Sequence, residues 1–213
     1  MTPLAGHLRN VIRARGPVSI AEFMQIALGD PEHGYYMRRD PLGAGGDFIT
    51  SPEISQIFGE LIGLWCVQCW RDMGAPPRFS LVELGPGRGT LMADALRAAK
   101  LAPEFIAGAE LHQIESSPVL RAKQQAALGA NVHWHAQLDS LPEMPGLIIA
   151  NEFFDALPIR QFQRTERGWT ERMIGIDPGT DQFSFCLPPA PMIDAVELPP
   201  QTRHAPFGAI VEI

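Results

Sequence analysis

The sequence predicts an α/β fold in which a parallel β-sheet is flanked by helices. From residue 79 onward, apolar strand segments alternate with helical segments, and the first of these strands runs directly into a glycine-rich turn. Strands that alternate with helices form parallel sheets through right-handed crossovers. The predicted strands are 79–84, 111–115, 132–135 and 146–151, and the predicted helices are 90–99 and 118–128.

Residues 1–75 are predicted to be a helical N-terminal extension. Apolar residues recur at helical spacing from Leu4 to Ile12 and again from Ile20 to Leu28, and a glycine-rich loop follows at 43–46. A further helix should begin near Thr50. Its apolar residues are Ile54, Ile57, Phe58, Leu61, Ile62, Trp65 and Trp70, and we expect the helix to be deeply packed on one side.

The start of this helix has two equally good descriptions. Thr50 and Glu53 have the spacing of a capping box, in which each side chain bonds the other's backbone N–H. Alternatively, Ser51 is the cap and Pro52 occupies the first helical position. Both descriptions place a helix N-terminus at this segment.

Beyond Asp155 the pattern becomes β-like. Apolar runs occur at 159–164, 169–176 and 182–187, with turn residues between the last two, which predicts an antiparallel hairpin insertion. The proline-rich stretch 188–206 predicts an irregular connection. We therefore divide the chain into a helical extension at 1–75, a core at 76–158, and a β-rich insertion and connection at 159–213.

The composition excludes several classes of protein. A chain of 213 residues suits one domain with a substantial core. The net charge of −7 argues against broad binding to nucleic acids or anionic membranes. No window offers the roughly 18 apolar residues that are needed to span a bilayer. We therefore expect no nucleic-acid partner and no membrane insertion, while the oligomeric state stays open.

Cysteine content and the N-terminus bear on the compartment. Three cysteines do not make a disulfide framework, which indicates a reducing environment. The N-terminus lacks the apolar centre of a secretory signal, but it carries arginines and no acid, as short organelle-targeting segments do. We expect a bacterial-type cytoplasmic location, with the mitochondrial matrix as the alternative.

The strongest local motif reads ELGPGRGT, from Glu83 to Thr90. Glycines in such a turn let a ligand approach main-chain N–H groups at a helix N-terminus. The nicotinamide-dinucleotide fingerprint GxGxxG needs a glycine where this chain has Thr90, which disfavours an oxidoreductase. The spacing of Gly85, Gly87 and Gly89 suits a ligand without a pyrophosphate, and Glu83 can accept hydrogen bonds from an ammonium group. The alternative is a tight structural turn.

Two further acids follow the next strands. Glu115 ends the second predicted strand, where a carboxylate can accept both hydroxyls of a ribose. Asp139, after the third strand, can reach the adenine edge in the same crevice. A solvated strand end for Glu115 and a surface loop for Asp139 are the alternatives.

The fourth strand leads into NEFFDALP, from Asn151 to Pro158. In an open parallel sheet the carboxyl ends of the strands line the ligand crevice. Asn151, Glu152 and Asp155 are therefore candidate catalytic residues, because packing alone explains polar groups at this position poorly. The alternative is a structural salt bridge to Arg160.

No metal site is predicted. Cys66 and Cys69 have metal-ligand spacing, but they lie inside an apolar helix without a second pair, so buried structural thiols are favoured. His133 and His135 share one face of a strand and lack a third ligand nearby in the sequence, which favours ordinary packing.

Four stretches together resemble the MidA-type family of S-adenosylmethionine-dependent protein arginine methyltransferases, which includes the mitochondrial complex I assembly methyltransferase. They are DPxxGYY at 30–36, GDFITSPE at 46–53, ELGPGRG at 83–89 and NEFFDALP at 151–158, and FGE at 58–60 extends the second. The resemblance implies a class I (Rossmann-like) methyltransferase fold with S-adenosylmethionine as donor. It further implies a protein substrate with an acceptor arginine, symmetrically dimethylated in a complex I subunit by the mitochondrial members.

The family's chains continue into further strands that complete a seven-stranded sheet, so we expect this sheet to be incomplete. In this family context Thr50, Ser51, Pro52 and Glu53 would close over the donor, with backbone N–H groups facing its carboxylate. Glu152 would grip the acceptor guanidinium with Asp155 as helper, while Asn151 orients substrate or donor. The rival hypothesis is a non-catalytic assembly factor that binds the donor or a partner protein.

Overall fold

The computed structural model describes residues 2–38, 49–188 and 198–213 of the chain. The predicted loop at 43–46, the first part of the motif at 46–53 and residues 189–197 of the proline-rich stretch lie outside these residues. The helices are α1 (Pro3–Arg15), α2 (Ile20–Gly29), α3 (Tyr35–Arg38), α4 (Ser51–Ile54), α5 (Gln56–Asp72), α6 (Thr90–Ala99), α7 (Pro103–Gly108) and α8 (Pro118–Leu128). The strands are β1 (Val18–Ser19), β2 (Phe79–Leu84), β3 (Ala109–Ile114), β4 (Val132–His135), β5 (Gly146–Ala150), β6 (Gln161–Thr165), β7 (Gly168–Glu171), β8 (Met173–Ile176), β9 (Phe183–Cys186) and β10 (Ile210–Glu212).

The chain forms two compact units, and one of them is Tyr36–Asp155. Its sheet has the strand order β4-β3-β2-β5, and every neighbouring pair is parallel. The predicted α/β fold with four parallel strands is therefore confirmed. Strand β3 starts at Ala109 rather than at 111, because Ala109 pairs with Phe79 at the beginning of β2. The carboxyl ends of β2, β3 and β5 meet at one edge of the sheet.

Helices α5 and α6 cover one face of this sheet. The core between them contains Trp70, Phe79, Leu81, Met92 and Phe105, all of them buried. The helices approach closely because glycines of α5 face α6. A Cβ atom added to Gly63 would lie 2.3 Å from the carbonyl oxygen of Ala95.

The packing of α5 differs from the prediction in two ways. The helix is interrupted, because Ser55 is extended (φ −144°) and separates the single turn of α4 from α5. Moreover, Ile54, Ile57, Leu61 and Trp65 are at least 60% exposed, so the prediction that they are packed is wrong. The buried face consists of Gly59, Gly63, Cys66, Val67 and Trp70. Glycines carry the contact, and a hydrophobic pattern does not register them.

The second unit combines Met1–Tyr35 with Ala156–Ile213. One of its sheets has the order β1-β8-β9 and the other the order β10-β6-β7, and all described pairs are antiparallel. Strands β8 and β9 form a hairpin at the predicted place, and the Asp177 carboxylate accepts hydrogen bonds from the turn's Gly179 and Thr180 N–H groups. The predicted run 169–176 divides at Arg172 into β7 and β8, which belong to different sheets.

This grouping differs from the ranges predicted from the sequence. The start of the chain joins the β-rich segment, because Val18 and Ser19 pair with Ile174 and Met173. Residues 36–75 join the parallel sheet instead, through the contact of α5 with α6. Pairings between residues about 150 positions apart leave no mark in local periodicity.

Candidate functional site

The glycine turn after β2 has a backbone that favours glycine at three positions. Gly85, Gly87 and Gly89 have φ angles of 60°, 55° and 83°, in the left-handed region that other residues rarely adopt. The turn leads directly into α6, whose first N–H groups have no partner within the helix. The arrangement forms a main-chain cradle for an anionic group, such as a carboxylate, at the edge of the sheet.

Glu83 lies in β2, two residues before this turn, and is 3% exposed. Its Oε2 atom is buried and has no hydrogen-bond partner among the described residues. Burial raises the pKa of this carboxyl group to about 8. A buried carboxyl without a partner is costly unless a ligand supplies hydrogen-bond donors or a positive charge. Glu83 therefore fits its predicted role toward an ammonium group.

Gln113 is a buried polar residue that the sequence reasoning missed. It lies on β3 directly beside Glu83, it has no solvent exposure, and both its side-chain nitrogen and oxygen lack partners among the described residues. A glutamine inside an apolar strand was the available indication. Two adjacent polar groups without partners mark this end of the sheet.

Glu115 follows β3 and is half-buried. Its Oε1 accepts the N–H of Ser117 at 2.8 Å, and its Oε2 accepts Nε2 of Gln124 at 3.2 Å. Arg121 donates to its carbonyl oxygen through Nε at 2.7 Å. Burial raises the pKa of Glu115, and the bonds from Ser117 and Gln124 partly oppose this effect. Hydrogen bonds therefore fix both oxygens of the Glu115 carboxylate at the end of β3, which fits its predicted role toward a ribose.

Asp139 is exposed in the short 3-10 turn Leu138–Ser140. Within the described part of the chain it has no hydrogen bond or ion pair. Its contact with an adenine stays a prediction.

The segment from Thr50 to Glu53 is attached to the start of α6. Thr50 is the N-cap of α4, but its side chain makes no capping bond, so the predicted capping box is not formed. The Glu53 carboxylate instead accepts the Thr90 hydroxyl at 2.6 Å and lies 3.5 Å from an Arg88 nitrogen. Ser51 is the first helical residue and Pro52 the second, so the alternative with Ser51 as the cap is also wrong, and Pro52 is buried. These contacts place the segment next to the glycine turn.

Asn151 to Asp155 lie on the other side of the same turn. Ala150 pairs with Leu84, so the chain after β5 runs beside the chain after β2. Phe153 packs onto Gly85, where an added Cβ would lie 2.6 Å from its Cδ2 atom. The structure thus brings the predicted catalytic segment to the predicted cofactor turn.

Glu152 has an unusual backbone within this segment. Its φ is 50°, in the left-handed region, although it is not a glycine. Such strain costs about 1–3 kcal/mol and clusters at functional sites. Both Glu152 and Asp155 are exposed, so both can reach a substrate. Burial and the charge of Asp155 raise the pKa of Tyr36. The tyrosine is therefore close enough to Asp155 to be affected by its charge.

The cysteines and histidines that were not predicted to bind a metal have mostly structural surroundings. Burial raises the pKa of Cys66 to about 11, as expected for an unreactive thiol. His135 has a neighbour that the sequence did not indicate, because His112 Nδ1 lies 2.9 Å from its Nε2. No group of three potential ligands for a metal was found among the described residues. Within the same residues, no helix is long and apolar enough to cross a membrane.

The chain is similar in sequence to known methyltransferases. A family model described as "Putative S-adenosyl-L-methionine-dependent methyltransferase" matches residues 61–212. Curated relatives are named "Protein arginine methyltransferase NDUFAF7, mitochondrial". The Danio rerio protein is 44% identical over 196 residues, which cover 81% of this chain and 46% of that protein. The Homo sapiens protein is 39% identical over 216 residues, which cover 89% and 49%.

Solved structures give the same likeness over nearly the whole chain. A Burkholderia thailandensis protein bound to S-adenosyl-homocysteine matches with a TM-score of 0.79 and 29% identity, over 99% of this chain and 55% of that one. A native structure from the same organism matches with a TM-score of 0.73 and 28% identity. The chain spans about half the length of the curated relatives and solved structures it matches.

Proposed function

Because the chain belongs to the family of S-adenosyl-L-methionine-dependent methyltransferases, we propose that it transfers a methyl group from S-adenosylmethionine to an arginine of a protein. The observation that supports this proposal most directly is the carboxyl group of Glu83, which is buried next to the glycine turn and whose Oε2 has no hydrogen-bond partner among the described residues. An amino-acid moiety offers what this site lacks, namely an ammonium group for Glu83 and a carboxylate for the N–H groups of the turn.

The donor site extends along the edge of the sheet. Glu115, held by Ser117 and Gln124, has carboxylate lone pairs left for ribose hydroxyls. Asp139 is our candidate at the adenine edge. The segment with Thr50 and Glu53 closes the site from the side of α6. When bound, the donor supplies an electrophilic methyl group on a sulfonium ion.

The acceptor side is assigned to the segment after β5. An arginine guanidinium stays protonated at neutral pH and is a poor nucleophile, so it must be oriented and its charge must be stabilised. Glu152 grips two N–H groups and points the remaining nitrogen at the methyl carbon, with Asp155 as helper and Asn151 as orienting group. In the transfer, the nitrogen would form the new bond to carbon while the carbon–sulfur electron pair stays on sulfur, and the nitrogen would release one proton to solvent.

The acceptor protein and the compartment are parts of the same proposal. The relatives are named mitochondrial protein arginine methyltransferases, which favours a protein arginine as acceptor and the mitochondrial matrix over the bacterial-type cytoplasm. A complex I subunit is the acceptor that the family resemblance implies. A non-catalytic assembly factor would bind the donor without transferring its methyl group.

Glu152→Gln tests the proposed clamp, since it keeps the shape and removes the charge. We expect methyl transfer to a protein acceptor to fall by about two to three decades, because one charge-assisted contact made in the transition state contributes roughly 2–4 kcal/mol. Donor affinity should stay within about twofold of wild type, because Glu152 faces the acceptor in this proposal. Radiolabel transfer and a calorimetric titration with S-adenosyl-homocysteine measure the two effects.

The matched control is Glu143→Gln, which removes the same charge from an exposed loop position. It should transfer methyl groups as wild type does. Wild-type turnover in Glu152→Gln would refute the clamp, and a lost donor affinity would move Glu152 into the cofactor site. Donor binding without any transfer by the wild type would favour the assembly factor.

A further inference from the structure

Gln124 is a completely buried polar residue on α8, behind the glycine turn. Its Nε2 donates to the carbonyl oxygen of Gly87 at 2.8 Å and to Oε2 of Glu115 at 3.2 Å. Its Oε1 accepts the indole N–H of Trp134 at 2.8 Å. One side chain therefore joins the glycine turn, the acid after β3 and strand β4.

The chemistry of these partners fixes the orientation of the amide. Trp134 can only donate, so the oxygen of Gln124 must face the indole. A carbonyl and a carboxylate can only accept, so the nitrogen must face Gly87 and Glu115. The reverse orientation would oppose two donors on one side and three acceptors on the other. All the hydrogen-bonding atoms of the Gln124 amide are thus used.

The bonds to Glu115 leave its carboxylate with a defined remaining capacity. A carboxylate has about four lone-pair sites. The N–H of Ser117 occupies one on Oε1 and Nε2 of Gln124 one on Oε2, and the N–H of Ser116 also bonds this carboxylate. These bonds fix the direction of the lone-pair capacity that remains. The charged group that acts on this carboxylate is Arg121, which also bonds the carbonyl oxygens of Glu115 and His135.

The contact with the turn is equally close. A Cβ atom added to Gly89 would lie 3.4 Å from Cα and 3.5 Å from Cγ of Gln124. The bond to the Gly87 carbonyl therefore holds the turn against α8. Any displacement of Gln124 changes both the main-chain cradle and the Glu115 carboxylate.

We propose that Gln124 is a positioning residue that fixes the spacing between the glycine turn and Glu115, and thereby the grip on the nucleoside part of the donor. The inference rests on the proposed function, because it assumes that the glycine turn and Glu115, which Gln124 joins, bind the same ligand. Gln124 itself touches no ligand atom in this assignment and acts through Gly87 and Glu115.

The test is a calorimetric titration of Gln124→Met with S-adenosyl-homocysteine. The substitution keeps the length of the side chain and removes the amide. Affinity at pH 7 should fall about ten- to a hundredfold, the range expected for a lost bond to a charged group. Loss of a donor to Glu115 also raises the pKa of that carboxyl, so the variant should lose further affinity as the pH is lowered from 7 to 5.

The pH dependence separates positioning from a general loss of structure. We divide the dissociation constant of Gln124→Met by that of the wild type at each pH. This ratio cancels the effect of every other group that titrates equally in both proteins, including Glu83. We expect this ratio to rise toward pH 5. A ratio near one at pH 7, or one that stays constant with pH, overturns the inference.

Gln125→Met is the matched control, because Gln125 is the next residue on α8 and its amide bonds the exposed end of the helix at Gly129. It should bind as wild type does. If Gln124→Met does not fold, Trp134→Phe carries the test, since it frees the amide of Gln124. We expect an affinity loss of about threefold or more with the same pH trend, and unchanged binding overturns the inference. Failure of the wild type and of Gln125→Met to bind would instead refute the donor site itself.

Discussion

Glu83 and Glu152 are two acids at the same edge of the sheet, and their surroundings give them different properties. Glu83 is buried, and its Oε2 has no hydrogen-bond partner among the described residues. Burial raises its pKa to about 8, so the group is largely protonated at pH 7. Glu152 is exposed on a strained backbone with φ of 50°. Glu83 suits the binding of a cationic ligand, which would supply the missing partner. Glu152 suits contact with an incoming substrate.

Donor binding should release a proton from Glu83. An ammonium group placed beside this carboxyl favours its ionised form, so binding at pH 7 should release close to one proton per ligand. Titration with S-adenosyl-homocysteine in two buffers of different ionisation enthalpy measures this number. Affinity should rise up to about tenfold per pH unit between pH 6 and 8.

Glu83→Gln is the control for this prediction, and it should release close to no proton.

Without ligand, Glu83 should make the stability of the protein depend on pH, with a sign opposite to that of a salt-bridged acid. The folded pKa of about 8 exceeds the ordinary value of 4.5, so the wild type loses stability as the pH rises from about 4.5 to about 8. Glu83→Gln should lack this slope. Equal proton release by both proteins would contradict the assignment.

At the scale of the elements, the contact between α5 and α6 depends on glycines. A Cβ atom on Gly63 would lie 2.6 Å from Cα of Ala95, and one on Gly59 would lie 2.6 Å from Cβ of Asp94. Both distances are far inside van der Waals contact. Because α6 begins at the glycine turn, the position of the turn depends on this packing.

Gly63→Ala should destabilise the protein by about 1–3 kcal/mol, because the extra methyl group collides with backbone atoms that cannot move alone. Gly6→Ala is the matched control in α1, where nothing lies within 4 Å of the added atom. It should stabilise by about 0.5–1 kcal/mol through its better helix propensity. Urea unfolding followed by circular dichroism measures both, and equal effects would refute the close contact.

At the scale of the molecule, the start of the chain and the segment after residue 155 form one unit. Val18 is 3% exposed and pairs with Ile174 in a cluster that also contains Ile12 and Ile20. Arg9 and Arg13 of α1 add bonds to Asp181, the former to its carbonyl oxygen at 2.8 Å. The stability of β8 and β9 therefore depends on residues at the other end of the chain.

Val18→Asp should loosen this unit selectively, because it buries a charge without a partner. Hydrogen exchange of α1, β8 and β9 should accelerate about tenfold or more, the change that corresponds to roughly 1.4 kcal/mol. Ser19→Asp, one position along, is the control, since aspartate also caps the helix that Ser19 caps. Equal acceleration in β2 and β3 would show that the two units open as one.

The sequence by itself determined the parallel sheet, the glycine turn and the candidate acids at the strand ends. These features are local: alternation of strands with helices gives the order of elements, and parallel strands bring their carboxyl ends to one edge. Glu83, Glu115 and Glu152 could be found because each lies within two residues of the end of a strand.

Only the tertiary structure decided what holds these residues in place. Gln124 lies 37 positions from Gly87, and its three bonds depend on how α8 packs against the turn. Glu53 has capping spacing in the sequence, yet its carboxylate bonds Thr90, whose hydroxyl the fold brings to 2.6 Å from it. Hydrogen-bond partners that are distant along the chain are selected by packing, and hydrophobic periodicity carries no information about them.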